Sequence, residues 1–167
     1  MLVDMYSKKV FNMAYQFSGS YQEAEDLTQD VFMKLYHQLS KYDFQRNFTA
    51  WFLTLVNNYM IDEYRRTKWE KRQRDDFDKH AQTVSASDNP ELGVQERETK
   101  KILWEGLNRL SPDVRMAIIL KEIQSKKYED VAEIMNLPVG TVKSRINRGR
   151  LQLAKILADQ KEKIHGL

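Results

Sequence analysis

No cysteine occurs anywhere in the 167-residue chain, which excludes disulfides and thiolate metal sites. Only three histidines, His37, His80 and His165, remain as soft ligands, and they are scattered, so neither a metal nor another cofactor is expected. No apolar run approaches the roughly 18 residues that a membrane span needs. The opening MLVDMYSKK lacks the basic head and apolar body of a signal peptide, so a protein that stays in the cytoplasm is expected. No β-strand alternation competes with helical spacing, and no internal repeat or low-complexity tract is visible. Paired-carboxylate metal sites, Gly-rich phosphate loops and a nucleophile beside a base are all missing, which argues against a nucleic-acid enzyme. Nor is there an excess of one charge, since 27 Lys+Arg against 24 Asp+Glu leave a net +3.

That small net charge hides a segregation along the chain. Residues 65 to 74 hold six cations (Arg65, Arg66, Lys68, Lys71, Arg72, Arg74) and one acid, Glu70, whereas residues 75 to 99 carry seven acids against two cations. Basic zones can seek an anionic partner even when the whole chain is nearly neutral.

Apolar residues recur at helical spacing through most of the sequence. Val10, Met13, Ala14 and Phe17 form one stripe and SGS at 18 to 20 breaks it; Ala24, Leu27, Val31, Leu35 and Leu39 form a second. After a polar turn from Lys41 to Asn47, a third stripe of Phe48, Phe52, Leu55, Val56 and Tyr59 runs on into the basic segment, with Trp51 packed beside it. The apolar period disappears from Asp75 to about Glu96, where SASDNP supplies turn and breaker residues, as in a flexible linker. Helical spacing then resumes with Ile102, Leu103, Leu107 and Leu110. Ser111-Pro112 reads as a helix start, the hydroxyl capping and the proline fixing the first turn, ahead of Val114, Ile118, Ile119 and Ile123. The expected fold is all-α, in two small helical bundles: residues 1–78, an acidic linker at 79–95, and residues 96–167.

Residues 131 to 150, VAEIMNLPVGTVKSRINRGR, read as two helices joined at Asn136, Leu137 and Pro138, a helix-turn-helix. At about 100° per residue, Val142, Ile146 and Gly149 share a side that can pack on Ala132, Met135 and Leu137. Lys143, Ser144, Asn147 and Arg148 then face outward with Arg145 and Arg150 on the flanks, a set able to enter a major groove. The amides of Gly140 and Thr141 at the helix start, like the flanking arginines, suit phosphates. A cationic helix face alone is commonly just solvated; the two helix lengths, the three-residue turn and the outward set together point to DNA.

The stretch YEDVAEIMNLPVGTVKSRINRGR resembles the promoter-reading end of bacterial RNA polymerase sigma factors of the extracytoplasmic function (ECF) group in the sigma-70 family. EAEDLTQDVFMKLY together with FTAWFLTLVNNYMIDEYRR resembles the other domain of the same family, in the family's order and over most of the chain. The resemblance implies a region 2 domain at 1–78 that binds polymerase core and melts the minus-ten element, and a region 4 domain at 96–167 that reads the minus-thirty-five element. It implies as partners the β′ clamp coiled coil and the β flap of core, promoter DNA, and an anti-sigma factor that clamps the two domains and hides both DNA faces. The family commonly carries a further helix ahead of the point where this sequence begins, and a first bundle without it is expected to be less rigid.

With the second stripe turned inward, Asp26, Gln29, Asp30 and Met33 fall on the other sides of their helix as a mixed polar surface suited to a partner helix. The resemblance makes that partner the β′ clamp. Asn58 both donates and accepts, which lets it read the edge of an extruded base, and the resemblance assigns it to the melted minus-ten element with Asn57 as its nearest rival. Arg65, Arg66 and Lys68 can hold the adjacent phosphates, with Asp62 orienting Arg65 or Arg66 one turn on. The rival reading is an autonomous helix-turn-helix repressor or activator that does not bind polymerase core. It would need a dimer face or effector pocket in residues 1 to 78, where a basic, aromatic helix stands instead.

Overall fold

The computed structural model describes residues 1–75 and 93–165, and among these it is all-α, with no strand. Three helices build the first bundle: α1 (Leu2–Ser18), α2 (Tyr21–Gln38) and α3 (Phe48–Asp75). Four build the second: α4 (Val94–Asn108), α5 (Pro112–Ile118), α6 (Tyr128–Met135) and α7 (Val139–His165). None of these helices is long and apolar enough to cross a membrane. Of the segment read as a linker, residues 79–92 lie outside the described residues, and α4 already begins at Val94, two residues inside that segment.

Local chemistry sets the helix ends. Gly19 adopts the left-handed conformation (φ 72°) that closes α1, its amide donating to the Tyr15 carbonyl at 2.8 Å. Ser20 then caps α2 by accepting from the Glu23 amide, and Asn47 caps α3 by accepting from the Ala50 amide at 3.1 Å. At α5 the expectation needs correcting. Pro112 does open the helix, but the Ser111 hydroxyl makes no capping bond; Ser111 is exposed, where water competes for the same amides. Past α5 the chain makes a π-helical turn, Ile119–Ile123, and leaves it through Ser125 at φ 54°.

The stripes read from spacing become cores. Val10, Met13, Ala14 and Phe17 meet Ala24, Val31 and Leu35 and the α3 residues Phe52, Leu55 and Val56, all buried. Each large side chain so removed from water contributes roughly 1.5–3 kcal/mol. Leu27 is only half-buried, and Leu39 falls past the end of α2 in a 3-10 turn, exposed.

The two bundles lie against each other. Tyr15 of α1 meets Trp104 of α4 edge to face at 5.6 Å, Gln124 donates to Gln16 at 3.1 Å, and the Thr54 hydroxyl donates to the Glu133 carbonyl at 3.4 Å. At the centre sits Arg115, 0 % exposed. Its guanidinium donates to the carbonyls of Leu107 (2.9 Å), Asn108 (3.1 Å) and Leu110 (3.2 Å) at the end of α4, and across the seam to the Phe17 carbonyl (3.2 Å) and the Tyr64 hydroxyl (3.2 Å). The Phe17 and Tyr64 rings cover it, with centroids 5.0 and 4.6 Å away. No carboxylate among the described residues pairs with it; the negative ends of α1 and α4 supply the compensating field.

Removing this group strands several buried carbonyls, each costing about 1–3 kcal/mol when unsatisfied. Arg115→Met is therefore expected to lower stability by at least about 3 kcal/mol. Arg115→Lys should fail to restore it, because an ammonium cannot span acceptors on two bundles. Thermal and urea denaturation followed by circular dichroism check both.

Candidate nucleic-acid interface

α7 carries the outward cations because its inward side is fully committed. Val142 and Ile146 are 0 % exposed, and Gly149 is buried. Gly149 packs on α5 rather than on Ala132 and α6: a Cβ there would stand 2.7 Å from Val114 Cγ1 and 3.0 Å from two carbons of Ile118. The absence of a side chain lets α7 and α5 approach, a partner that helical phase alone does not name. Asn136, at φ 53° and ψ 51°, ends α6 in the left-handed conformation, and the Leu137 amide donates to the Ala132 carbonyl at 3.0 Å. The turn is thereby fixed, and with it the angle at which α7 leaves α6.

The outward set is where the helical phase places it. Lys143, Ser144, Asn147 and Arg148 are exposed and Arg145 is half-buried on the flank. Gly140 and Thr141 lie in the exposed first turn, whose amides have no intrahelical partner. Two of the set are engaged within the protein. The Ser144 hydroxyl donates back to the Gly140 carbonyl at 3.1 Å, and Arg150 bonds to Glu122, which holds its guanidinium above the ordinary arginine range.

On α3, Asn58 is exposed whereas Asn57 is 2 % exposed. The Asn57 amide donates to Asn58 Oδ1 at 3.2 Å, and its own Oδ1 is buried without a partner. Asn57 follows Thr54 by three residues and so shares the side of α3 that meets α6. Arg66 is braced by Glu63 at 3.1 Å and Glu70 at 2.8 Å, and these, the Glu63 bond first, raise its pKa. Arg65 bonds to Asp113 of α5, and Lys68 stands 5.8 Å from the Tyr64 ring. Asp62 takes neither arginine, which corrects the expected orienting role: Glu63 and Glu70 reach Arg66 from its own side of the helix, and Asp113 reaches Arg65 from the other bundle.

On α2, Asp26, Gln29, Asp30 and Met33 are all exposed, Met33 at 61 %. The Tyr59 hydroxyl of α3 donates to Asp30 at 2.9 Å; burial and then this bond push its pKa well above the usual tyrosine range. Asp26 and Asp30 border a groove of about 620 Å³ between α2, α3 and the second bundle, floored by Leu27 and Met60 and walled by Lys68.

Three features were not singled out from the sequence. Arg115 is legible in hindsight as the lone charge in the apolar run from Val114 to Leu120. Phe44 stands 88 % exposed in a loop treated as a polar turn, edge-on to Tyr42, which itself packs on Phe48 and Trp51. Tyr128 lies under two lysine ammoniums, Lys121 and Lys143.

Residues 2–70 match the family model for sigma-70 region 2, and residues 100–153 that for sigma-70 region 4. The ECF RNA polymerase sigma factor SigW of Bacillus subtilis is 32% identical over 164 residues, 95% of this chain and 88% of its own. The chain belongs to the ECF group of sigma-70 RNA polymerase sigma factors. The ECF sigma-E factor of Escherichia coli K12 is 31% identical over 90% of this sigma factor and 81% of its own length. Among solved structures, the sigma factor RpoE of Bartonella quintana, in complex with the anti-sigma factor NepR, superposes with a TM-score of 0.70 at 27% identity, covering 94% of each chain. Family membership thus rests on both bundles of the sigma factor, not on the helix-turn-helix alone.

The two glycines of α7 yield opposite expectations in this sigma factor. Gly149→Ala forces α7 off α5 and should cost about 1–3 kcal/mol. Gly140→Ala meets nothing within 4 Å and should stabilise by about 0.5–1 kcal/mol. Thermal melts of the two variants side by side check the pair.

Proposed function

We propose that this sigma factor engages polymerase core through the exposed surface of α2, reads a minus-thirty-five element with α7 and captures an unpaired minus-ten base with Asn58. The observation that carries this reading is that both bundles spend their apolar sides on the core and leave a separate polar or basic face outward. Asp26, Gln29, Asp30 and Met33 form the polymerase surface, offered to the β′ clamp helices, with Asp30 held in place by Tyr59. The second bundle is offered to the β flap. In the region 4 face, Asn147 and Arg148 reach base edges while Arg145, Arg150 and the amides of Gly140 and Thr141 serve phosphates. In the region 2 face, Asn58 rather than Asn57 reads the extruded base, since Asn58 is the exposed member of the pair, and Arg65, Arg66 and Lys68 hold the strand beside it.

Arg65 is bonded to Asp113 in this arrangement, so a DNA phosphate on Arg65 would have to displace that carboxylate. Separation of the two bundles would free Arg65, and in this reading the closed arrangement is the less active one. The likeness to RpoE, solved in complex with the anti-sigma factor NepR, supports an anti-sigma partner, and a partner that holds the bundles closed fits this arrangement. The sigma factor is read as working in the cytoplasm.

Pull-down of bacterial core polymerase followed by run-off transcription from a promoter of the same genome tests the whole reading; a protein that fails both is not working as a sigma factor. Within that assay, Asn58→Ala holoenzyme is expected to bind duplex promoter normally and open it poorly, because flipping a base costs a few kcal/mol that the lost amide no longer offsets. Permanganate footprinting at matched occupancy reports the opening, with partial rescue expected on a template mismatched across the minus-ten region. Opening at the wild-type level would return the role to Asn57 or to neither.

A further inference from the structure

Lys143 belongs to the outward set of α7, yet its ammonium is drawn to one edge of that face. It stands 5.5 Å from the centroid of the Tyr128 ring, and the ammonium of Lys121, from the π-helical turn, stands 4.6 Å from the same ring. An aromatic face attracts cations at such distances, so one ring holds both lysine side chains near it. A third cation is fixed alongside. Arg150, seven residues after Lys143 and so nearly on the same line of α7, bonds to Glu122, the neighbour of Lys121, and the Tyr128 hydroxyl also contributes to raising its pKa. Cations of α7 and of the turn after α5 thus converge on the first residue of α6, at the rim of the outward face, while Asn147 and Arg148 stay free.

We propose that Lys143 and Lys121 together grip a backbone phosphate of the promoter duplex, and that Tyr128 is the residue that positions both. This assigns Lys143, a member of the groove-facing set, to phosphate binding rather than base reading, and it rests on the reading of α7 as the minus-thirty-five element reader. The chemistry discriminates between the two roles. A base edge offers one or two acceptors and no charge, whereas a backbone phosphate offers two non-bridging oxygens that share one negative charge and can each accept from an ammonium. The ring sets where those ammoniums wait, so less side-chain freedom is lost when DNA arrives.

The test uses the full chain assembled with bacterial core polymerase and a fluorescent duplex that this wild-type holoenzyme selects from a randomised pool. Affinity is followed by anisotropy between about 50 and about 200 mM salt, where each phosphate contact contributes about 0.9 to the slope of log K against log salt. Tyr128→Leu is expected to lower that slope by up to about 0.9, the loss of one phosphate contact, and to weaken all duplex sequences by the same factor. Lys121→Gln should act in the same direction. Tyr128→Phe, which keeps the ring, should retain the wild-type slope. An unchanged slope in Tyr128→Leu, a loss concentrated at one base pair, or a fall in Tyr128→Phe equal to that in Tyr128→Leu would each overturn the proposal. Circular dichroism checks folding, and if Tyr128→Leu does not fold, Lys121→Gln carries the decision. A wild-type holoenzyme that selects no duplex at all would instead remove the minus-thirty-five reading on which the proposal stands.

Discussion

A cation with no carboxylate partner among the described residues, sealed between two helical bundles, constrains everything else in this structure. Removing the Arg115 guanidinium from water is expensive unless it is bonded on all sides. The chain solves this with backbone. Carbonyls left over at the end of α4, one more from the last turn of α1 and a tyrosine hydroxyl from α3 surround the guanidinium, and two aromatic rings cover its faces. Helix ends that would otherwise need solvent or caps are satisfied by one side chain. The acceptors come from both bundles, so the group that completes the second bundle also glues it to the first.

This arrangement has a functional consequence through its neighbours. Asp113, two residues before Arg115, holds Arg65 of α3, and α6 lies along the side of α3 that carries Thr54 and Asn57. A carboxylate thereby occupies the place on Arg65 that a DNA phosphate would need, and the seam is a competitor for the surface proposed to hold the melted strand. The α7 face is not involved in that competition; its outward residues stay exposed in the closed form. Of the two surfaces proposed to meet DNA, the α7 set stays exposed in the closed form, whereas on α3 Asn58 is exposed but Arg65 is engaged by Asp113.

The all-α architecture, the three stripes of the first bundle and the orientation of α7 were legible in the sequence, because each depends on spacing within a single helix. Val10, Met13, Ala14 and Phe17, like Val142 and Ile146, are buried where a period near 3.6 puts them. The exposed positions of Asp26, Gln29, Asp30 and Met33 and of the α7 set followed from the same arithmetic, though exposure alone assigns no role. What was not legible depends on pairs far apart in the chain. Nothing local tells that Arg65 finds Asp113 rather than Asp62, that Gly149 makes room for Val114 and Ile118, or that Arg115 reaches Phe17 across the seam. Ser111 fails for a different reason: the residue type suits a cap, but the position is open to water. Phe44 and Tyr128 give no signal in the sequence, because an aromatic outside an apolar stripe has no period to mark it.

The central claim is that the sigma factor alone is closed over Arg115 and opens on polymerase core. The natural absence of cysteine makes this directly measurable, since spin labels on Gln22→Cys in α2 and Gln152→Cys in α7 attach nowhere else. Pulsed electron–electron distance measurement on the free chain should give one narrow distance, and addition of core polymerase should replace it with a longer one. A broad distribution in the free chain, or a distance that persists unchanged in the holoenzyme, would contradict the account.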